Sequence, residues 1–513
     1  MITGVAWLAA TKALGQVITW LITLAVVRLL TPLDYGLMGM AGLFAGFLLL
    51  FNELGLGAAI VQNGDLTKED IADLRWAILG LNIVLFLFVV VCAPVVAAYF
   101  GEPALTPVAR ALSVGFLISG IGAPSGFLLQ RELAFEKKSR AELIGNVVAG
   151  LTTLVCALQG MGIWSLVTGS LVQQAAIAAL YCAHSPVTIV WRFSARNVSR
   201  FLSFGLQVTA AKVLWYFSTN ADFLVVGRVL GAIQLGFYSL AFQFSSLPID
   251  KIVTIVTQVA FPSFSALQHD DDTLRRYYLR LVSTVAFITF PMFMGLFLAA
   301  DVAVAYFLTP RWAAVVLPLK ILCVVSCLRA IEALNGPLLL ARGAPGVVLF
   351  NNLLQAVLMP VAFYLGARDG LTGVAVSWLV IWPGLFAVVT WQTLRLLRLP
   401  VSAYLGCVRH AAIGSALMTL IVTAMQQRMF GAAWHPLLYL GATGVAGCAS
   451  YVAYIALFDA RTIREASALI HSARQPRAAA VVARAERPDV AISSGPAAPP
   501  PVRPEPVSFA EVK

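Results

Sequence analysis

Stretches of about 20 or more predominantly apolar residues recur along almost the whole chain, and this recurrence constrains the fold more than any other feature. One such stretch can be a buried core helix, but a long series of them calls for a lipid environment. Fourteen are read, near 4–30, 36–61, 76–100, 108–130, 141–160, 163–183, 201–230, 235–262, 277–300, 313–341, 346–366, 371–393, 405–427 and 434–458, with 300–318 the least defined region. Only 12% of the 513 residues are charged, about half the share in a soluble domain. The chain is expected to be an all-α polytopic membrane protein. Its first stretch is too long for the apolar core of a signal peptide and has no clear cleavage site, so it is expected to remain as a membrane helix.

The net charge of +11 would suggest nucleic acid in a soluble protein. In a membrane chain, basic residues first report topology. With the N-terminus inside, sixteen Lys and Arg fall in cytoplasmic connections, Lys137, Lys138, Arg275 and Arg276 among them, against Arg311, Arg368 and Arg428 outside. Both termini are therefore expected in the cytoplasm, and nucleic acid is not an expected partner. The loops are too short for a catalytic or nucleotide-binding domain, and no GxxxxGK[ST] motif occurs. The seven cysteines lie in apolar stretches without disulfide or zinc spacing. His269-Asp270-Asp271-Asp272 reads as the acidic start of a helix. No metal, cofactor or enzymatic activity is expected. From about 459 the chain changes character: 459–475 fits an interfacial helix, and the Ala-, Pro- and Arg-rich remainder to 513 reads as a largely disordered cytoplasmic tail.

A shift of 200 residues aligns the first stretch with the seventh. About ten of the 32 positions from 10 to 41 are identical without a gap, including Lys12 with Lys212, Arg28 with Arg228 and Gly36 with Gly236. The coincidence of rare residues is what distinguishes this from shared hydrophobicity. An even number of spans separates the copies, so both enter the membrane from the same side. They are parallel repeats, related by an axis along the membrane normal. The expected organisation is a six-helix bundle at 1–198, a second at 199–400, two added helices at 401–458 and the tail at 459–513. Two bundles of this kind suit a carrier with substrate between them.

Ionisable side chains at depth are costly unless they face water or a partner. Lys12 and Lys212 lie about 8–11 residues inside their helices, roughly 12–17 Å from the cytoplasmic end. Snorkelling accounts for one such lysine; two at equivalent positions point to a shared aqueous cavity. Arg329 and Glu332 are three apart on one helix face, either as an internal ion pair or as a cavity-lining cation with a gating carboxylate. Asp222, without an evident local partner, is a candidate coupling site, and Glu53 and the Asp250–Lys251 pair are further candidates. Arg28, Arg228, Arg110 and Lys320 are placed to reach the interface. Trp312 and other tryptophans near helix ends read as an aromatic belt, while the deeper Trp215, Tyr216, Trp378 and Trp382 suit lipid contact or stacking on sugar rings. Lys12, Lys212 and Arg329 together suit phosphate or pyrophosphate.

The segment Arg28-Leu-Leu-Thr-Pro-Leu-Asp-Tyr-Gly36, followed by Asn52-Glu-Leu-Gly55-Leu-Gly-Ala-Ala-Ile-Val-Gln62, resembles the N-terminal signature of polysaccharide-transport (Wzx-type) flippases. The second half repeats it in Asn220-Ala-Asp222, Gly227-Arg228-Val-Leu-Gly231 and Leu235-Gly236-Phe-Tyr238. The resemblance spans about residues 1–430 and places the chain in the multidrug/oligosaccharidyl-lipid/polysaccharide exporter superfamily, whose MATE-like fold has two such bundles. It implies alternating-access translocation of an undecaprenyl-pyrophosphate-linked oligosaccharide across a bacterial inner membrane, for exopolysaccharide, capsule or O-antigen (lipopolysaccharide) synthesis. Membrane lipids, a polysaccharide polymerase and export machinery are the partners it implies. The alternatives are a MATE-like drug/cation antiporter, which calls for an acidic cavity, and a membrane polymerase or glycosyltransferase, which calls for a large loop that the chain does not have.

Overall fold

A computed structural model of the protein describes residues 19–57, 60, 67–185, 209, 212–213, 216–217, 219–429 and 435–458. They belong to one compact unit, Met1–Asp459; the second unit, Ala460–Lys513, and with it the expected tail, lies outside the described residues. No strand occurs among the described residues. Among the described residues, eleven segments are long and apolar enough to cross a membrane. One of them, Pro345–Leu397, is two helices joined by a short turn at Ala367–Asp369. The first and seventh expected spans are described only in part.

In chain order the helices are α1 (Thr19–Leu29), α2 (Pro32–Leu49), α3 (Lys68–Phe100), α4 (Leu105–Arg131), α5 (Phe135–Leu158), α6 (Ile163–His184), α7 (219–230) and α8 (Ala232–Ala266). They continue as α9 (Asp271–Phe307), α10 (Pro310–Ala341), α11 (Pro345–Gly366), α12 (Gly370–Leu397), α13 (Val401–Met429) and α14 (Pro436–Phe458). Local chemistry sets several starts. Thr31 and Asp34 form a reciprocal capping box ahead of α2, with Pro32 at its first turn, and Thr67 and Asp70 do the same for α3. Such a cap contributes about 1 kcal/mol.

Several spans are less regular than their apolar runs predict. The 36–61 stretch is helical only to Leu49 before Leu54 (φ 44°) and Gly55 (φ 69°) turn the chain; Gly55 supplies the left-handed conformation at little cost. Both α7 and α8 carry a π-helical turn, at Val226–Leu230 and Ile249–Val253. The 300–318 region resolves into the end of α9 and a 3₁₀ turn, Pro310–Val315, that leads into α10. After Glu332, α10 breaks and resumes at Asn335.

In the first half, α3 packs on α4 and α6 packs on both α4 and α5. In the second, α10 lies against α8, α9 and α12, α11 against α12, and α13 and α14 cover α9. The main crossing between the halves is α2 on α8. A Cβ at Gly36 would overlap the carbonyl oxygen of Ala232, and a Cβ at Gly236 would overlap that of Pro32. The 200-residue shift exchanges these contacts, turning 36 on 232 into 236 on 32. Reciprocity of this kind is the signature of a two-fold axis, here relating two halves of one chain. Glycine is needed at both positions because backbone meets backbone.

Trp312 wedges beside this crossing. It is fully buried, donates its indole N–H to the Val27 carbonyl at 3.1 Å, and meets Tyr35 and Phe237 edge-on. The expected place in an interfacial belt is thus corrected. A helix-end tryptophan that finds a buried carbonyl packs inward.

Candidate functional site

Asp222 on α7 is completely buried. Its Oδ2 accepts from the Tyr238 hydroxyl at 2.6 Å and its Oδ1 from the Phe223 backbone N–H at 2.9 Å. Tyr238 in turn accepts from Trp378 Nε1 at 2.8 Å, so one chain of hydrogen bonds joins α7, α8 and α12. The expectation that Asp222 has no partner is corrected. Its partner sits sixteen residues downstream within the same repeat motif, and that shared motif was the available signal. A buried carboxylate persists only when hydrogen-bonded in this way.

Arg329 on α10 sits beside the chain. Its guanidinium lies over Phe242 and Trp378, each 5.0 Å from the ring centre, and over Trp382 at 6.0 Å. Cation–π contacts of this kind contribute roughly 0.5–2 kcal/mol each. Asp222, Glu332 and Asp250 all act electrostatically on Arg329, so its positive charge is answered by carboxylates. Nη1 has no hydrogen-bond partner among the described residues. No N–O contact within 4 Å joins Arg329 to Glu332 among the salt bridges of the described residues, so the internal ion pair is not formed. The guanidinium turns onto the three rings instead. Trp378 and Trp382 are buried and pack against each other at 5.0 Å. Their expected lipid contact is corrected as well, because the arginine draws them inward.

Lys212 and Glu53 come together across the halves. Nζ lies 3.2 Å from Oε1, with 44% of the lysine side chain and 16% of the glutamate exposed. Nearby, Tyr216 donates to the Leu43 carbonyl at 2.6 Å, while Phe47 packs on Tyr216 and Phe217. Lys12 and the Trp215 side chain lie outside the described residues. Asp250 and Lys251 are exposed within the π turn of α8.

The remaining sequence candidates fall into supporting places. Arg28 is exposed, and Arg228 donates to the Tyr99 carbonyl and stacks over its ring at 5.1 Å. Arg110 donates to the Val90 carbonyl at 3.1 Å, and Lys320 pairs with Asp301 at 2.5 Å. Asp270 caps α9 by accepting from the Thr273 N–H at 3.0 Å, a bond that holds its carboxyl below the usual range. Asp271 and Asp272 pair with Arg342 and Arg275. The acidic run therefore serves a helix start.

Sequence reasoning missed one polar group. On α11, Asn351, Asn352 and Gln355 line a cavity of about 90 Å³ together with Glu332 and Trp382. Amides at i, i+1 and i+4 within an apolar helix share one face, and that spacing could have revealed them. The opposite face, with Leu349, Phe350, Leu353 and Val357, is exposed and apolar.

Three comparisons bear on this architecture. The sequence profile of a family described as "Polysaccharide biosynthesis protein" matches residues 25–317. Among individual proteins, the teichuronic acid biosynthesis protein TuaB of Bacillus subtilis (strain 168) is 28% identical over 72% of this chain and 77% of its own length. The lipopolysaccharide biosynthesis protein WzxC of Escherichia coli (strain K12) is 28% identical over 74% and 78%. The succinoglycan biosynthesis transport protein ExoT of Rhizobium meliloti (strain 1021) is 25% identical over 88% and 92%. In structure, the inward closed conformation of the lipid II flippase MurJ aligns with TM-score 0.68 at 14% identity, covering 88% of this chain and all of that one. An inward-facing MATE multidrug transporter aligns with TM-score 0.60 at 15% identity, over 75% of this chain and 96% of its own. These likenesses establish the shared fold, and the profile, which covers more than half of the sequence, establishes that this multi-pass membrane protein belongs to the polysaccharide biosynthesis protein family.

Proposed function

We propose that the protein is a flippase that carries an undecaprenyl-pyrophosphate-linked oligosaccharide from the cytoplasmic to the outer leaflet of a bacterial inner membrane. The observation that carries this reading is the reciprocal glycine crossing. Two halves related by a two-fold axis touch backbone to backbone at α2 and α8, and such a contact can serve as a closed gate that re-forms about the same axis. The positive-inside charge bias favours an orientation with this crossing toward the outer face and both termini in the cytoplasm. The names of the relatives, which concern teichuronic acid, lipopolysaccharide and succinoglycan, favour a glycan cargo. The polyprenyl tail stays in lipid, and no bond is made or broken, so the chain is read as a carrier and not an enzyme.

In this reading Lys12, Lys212 and Arg329 receive the pyrophosphate. Phosphate would compete with Glu53 for Lys212, so substrate arrival loosens a contact between the halves. Differential binding of this kind is what drives a conformational equilibrium. Arg329 offers its unpaired Nη1 from a preorganised aromatic seat. Asp222 and Glu332 set the electrostatic balance around that seat, with Asp222 held as a fixed counter-charge. A polymerase and export machinery would then take up the carried unit.

The carboxylates around Arg329 favour one second reading, a drug/cation antiporter. A deletion strain separates the two. The flippase reading expects lipid-linked repeat units to accumulate in the inner leaflet and polymer to disappear, both restored by the wild-type gene. Drug sensitivity with intact polymer would overturn it in favour of the antiporter.

A further inference from the structure

The cavity between α10, α11 and α12 is lined by a set of polar atoms that is incomplete in a specific way. Glu332 Oε2, Asn351 Oδ1 and Trp382 Nε1 are all buried, line the same space and have no hydrogen-bond partner among the described residues. Trp382 as a whole is only 7% exposed. Asn351 is oriented by its own amide, whose Nδ2 donates to Gln392 Oε1 at 2.8 Å, so its carbonyl oxygen faces away from that bond. The Trp382 N–H and the Glu332 carboxylate interact with each other, yet Glu332 Oε2 and Trp382 Nε1 form no well-aligned hydrogen bond among the described residues. An unpaired buried polar atom forfeits its hydration without compensation, and three around one cavity call for an occupant.

The donor and acceptor inventory selects its chemistry. Two acceptors and one donor are unfilled. A bare cation satisfies the two oxygens and leaves the indole N–H facing positive charge. An anion satisfies the indole and meets the Glu332 carboxylate. A pair of neighbouring hydroxyls satisfies all three, one accepting from Trp382 while their two protons go to Glu332 and Asn351. Asn352 and Gln355 add carboxamides to the lining. At about 30 Å³ per water, the space of about 90 Å³ takes some three waters or the hydroxyl edge of one sugar ring.

We propose that this cavity is a carbohydrate subsite that reads neutral hydroxyls of the carried glycan, next to the Arg329 seat. The inference rests on the flippase reading for the source of the sugar, and Glu332 is the residue that links the two sites, three positions along α10 from Arg329. The subsite would select against acidic sugars at this position, because a hexuronate brings its own carboxylate to Glu332.

The test uses the full-length protein in nanodiscs and a panel of free sugars: neutral hexoses, N-acetylhexosamines and hexuronates. The thermal unfolding midpoint is followed at millimolar sugar. A neutral sugar should raise the midpoint of wild type, hexuronates should not, and Glu332→Gln and Asn351→Leu should each weaken the neutral-sugar response at least tenfold. The sugar-free midpoint of each variant identifies a folding defect, and Asn351→Gln, which keeps the carboxamide, should restore part of the response in the Asn351 series. No response of wild type to any neutral sugar, or full responses in both variants, means that the cavity holds resident water alone and overturns the proposal. Export in the deletion strain keeps this separate from the flippase reading. If the wild-type gene fails to restore polymer, the flippase reading falls. If wild type and both variants restore it equally, only the subsite falls.

Discussion

The two halves share a sequence repeat but treat charge differently. Where the second half has Asp222, the first has Ile22 at the shifted position; where the second has Tyr238, the first has Met38. Ile22 packs with Val26, Leu30 and Ala157 in a small apolar cluster. Asp222 instead anchors a hydrogen-bonded chain beside Arg329 in the second half, next to the main core, which fills that half and reaches across α2 and α4 into the first. The first half has several separate apolar clusters and amide contacts such as Asn82 to the Asn52 carbonyl at 2.7 Å and Gln173 to Asn146. The glycines of the crossing, by contrast, are the same in both halves. The repeat thus retains what brings the halves together and lets diverge what surrounds a charge.

The largest effect expected from this comparison comes from Arg329→Ala. Removing the cation leaves Asp222 buried without its counter-charge, which should cost about 3–5 kcal/mol of stability, read as a lowered denaturation midpoint in detergent. Replacing both charges, with Asp222→Ile taken from the first half and Arg329→Leu, should recover much of that stability and still abolish export. Export by that double variant would reduce the cluster to scaffolding.

Next come Gly36→Val and Gly236→Val. Each puts a side chain onto a carbonyl and should cost about 1–3 kcal/mol, with matching losses of export because the contacts are reciprocal. A large effect at one glycine and none at the other would break the symmetry argument. Glu53→Gln should change stability by less than about 1 kcal/mol, since its lysine partner is exposed and screened. Its signature is a weaker dependence of the unfolding midpoint on salt. The smallest effect concerns Asp270. Its pKa is lowered, chiefly by the Thr273 N–H, so its contribution is present above the unfolded carboxyl pKa of about 3.9 and is lost as pH falls through the lower folded value. Midpoints of wild type and Asp270→Ala should therefore differ at neutral pH and converge in acid.

The spans and the repeat were legible because lipid imposes a length and a composition that appear directly in sequence. Gly36 and Gly236 were legible as a pair through the 200-residue shift, although their contact required the crossing of α2 on α8. The charged residues were legible as types and depths, not as partners. Arg329 has Glu332 one turn away yet stacks on Phe242, Trp378 and Trp382 from two other helices. No periodicity within α10 encodes that choice, which depends on how α8 and α12 cross it. The end of α2 at Leu49 marks the same limit: the apolar stretch resumes after Asn52 and Glu53, but the turn at Leu54 and Gly55 is set by backbone conformation and not by hydropathy.

The central claim is that lipid-linked glycan changes leaflet through this protein. Its most direct test is a leaflet-resolved assay in proteoliposomes loaded on one side with undecaprenyl-pyrophosphate-linked oligosaccharide, read by the accessibility of the sugar to an impermeant glycosidase. The account predicts transfer to the opposite leaflet with wild type and little above the protein-free rate with Gly236→Val or with the Asp222→Ile, Arg329→Leu double variant. Equal transfer in protein-free, wild-type and variant vesicles would contradict it.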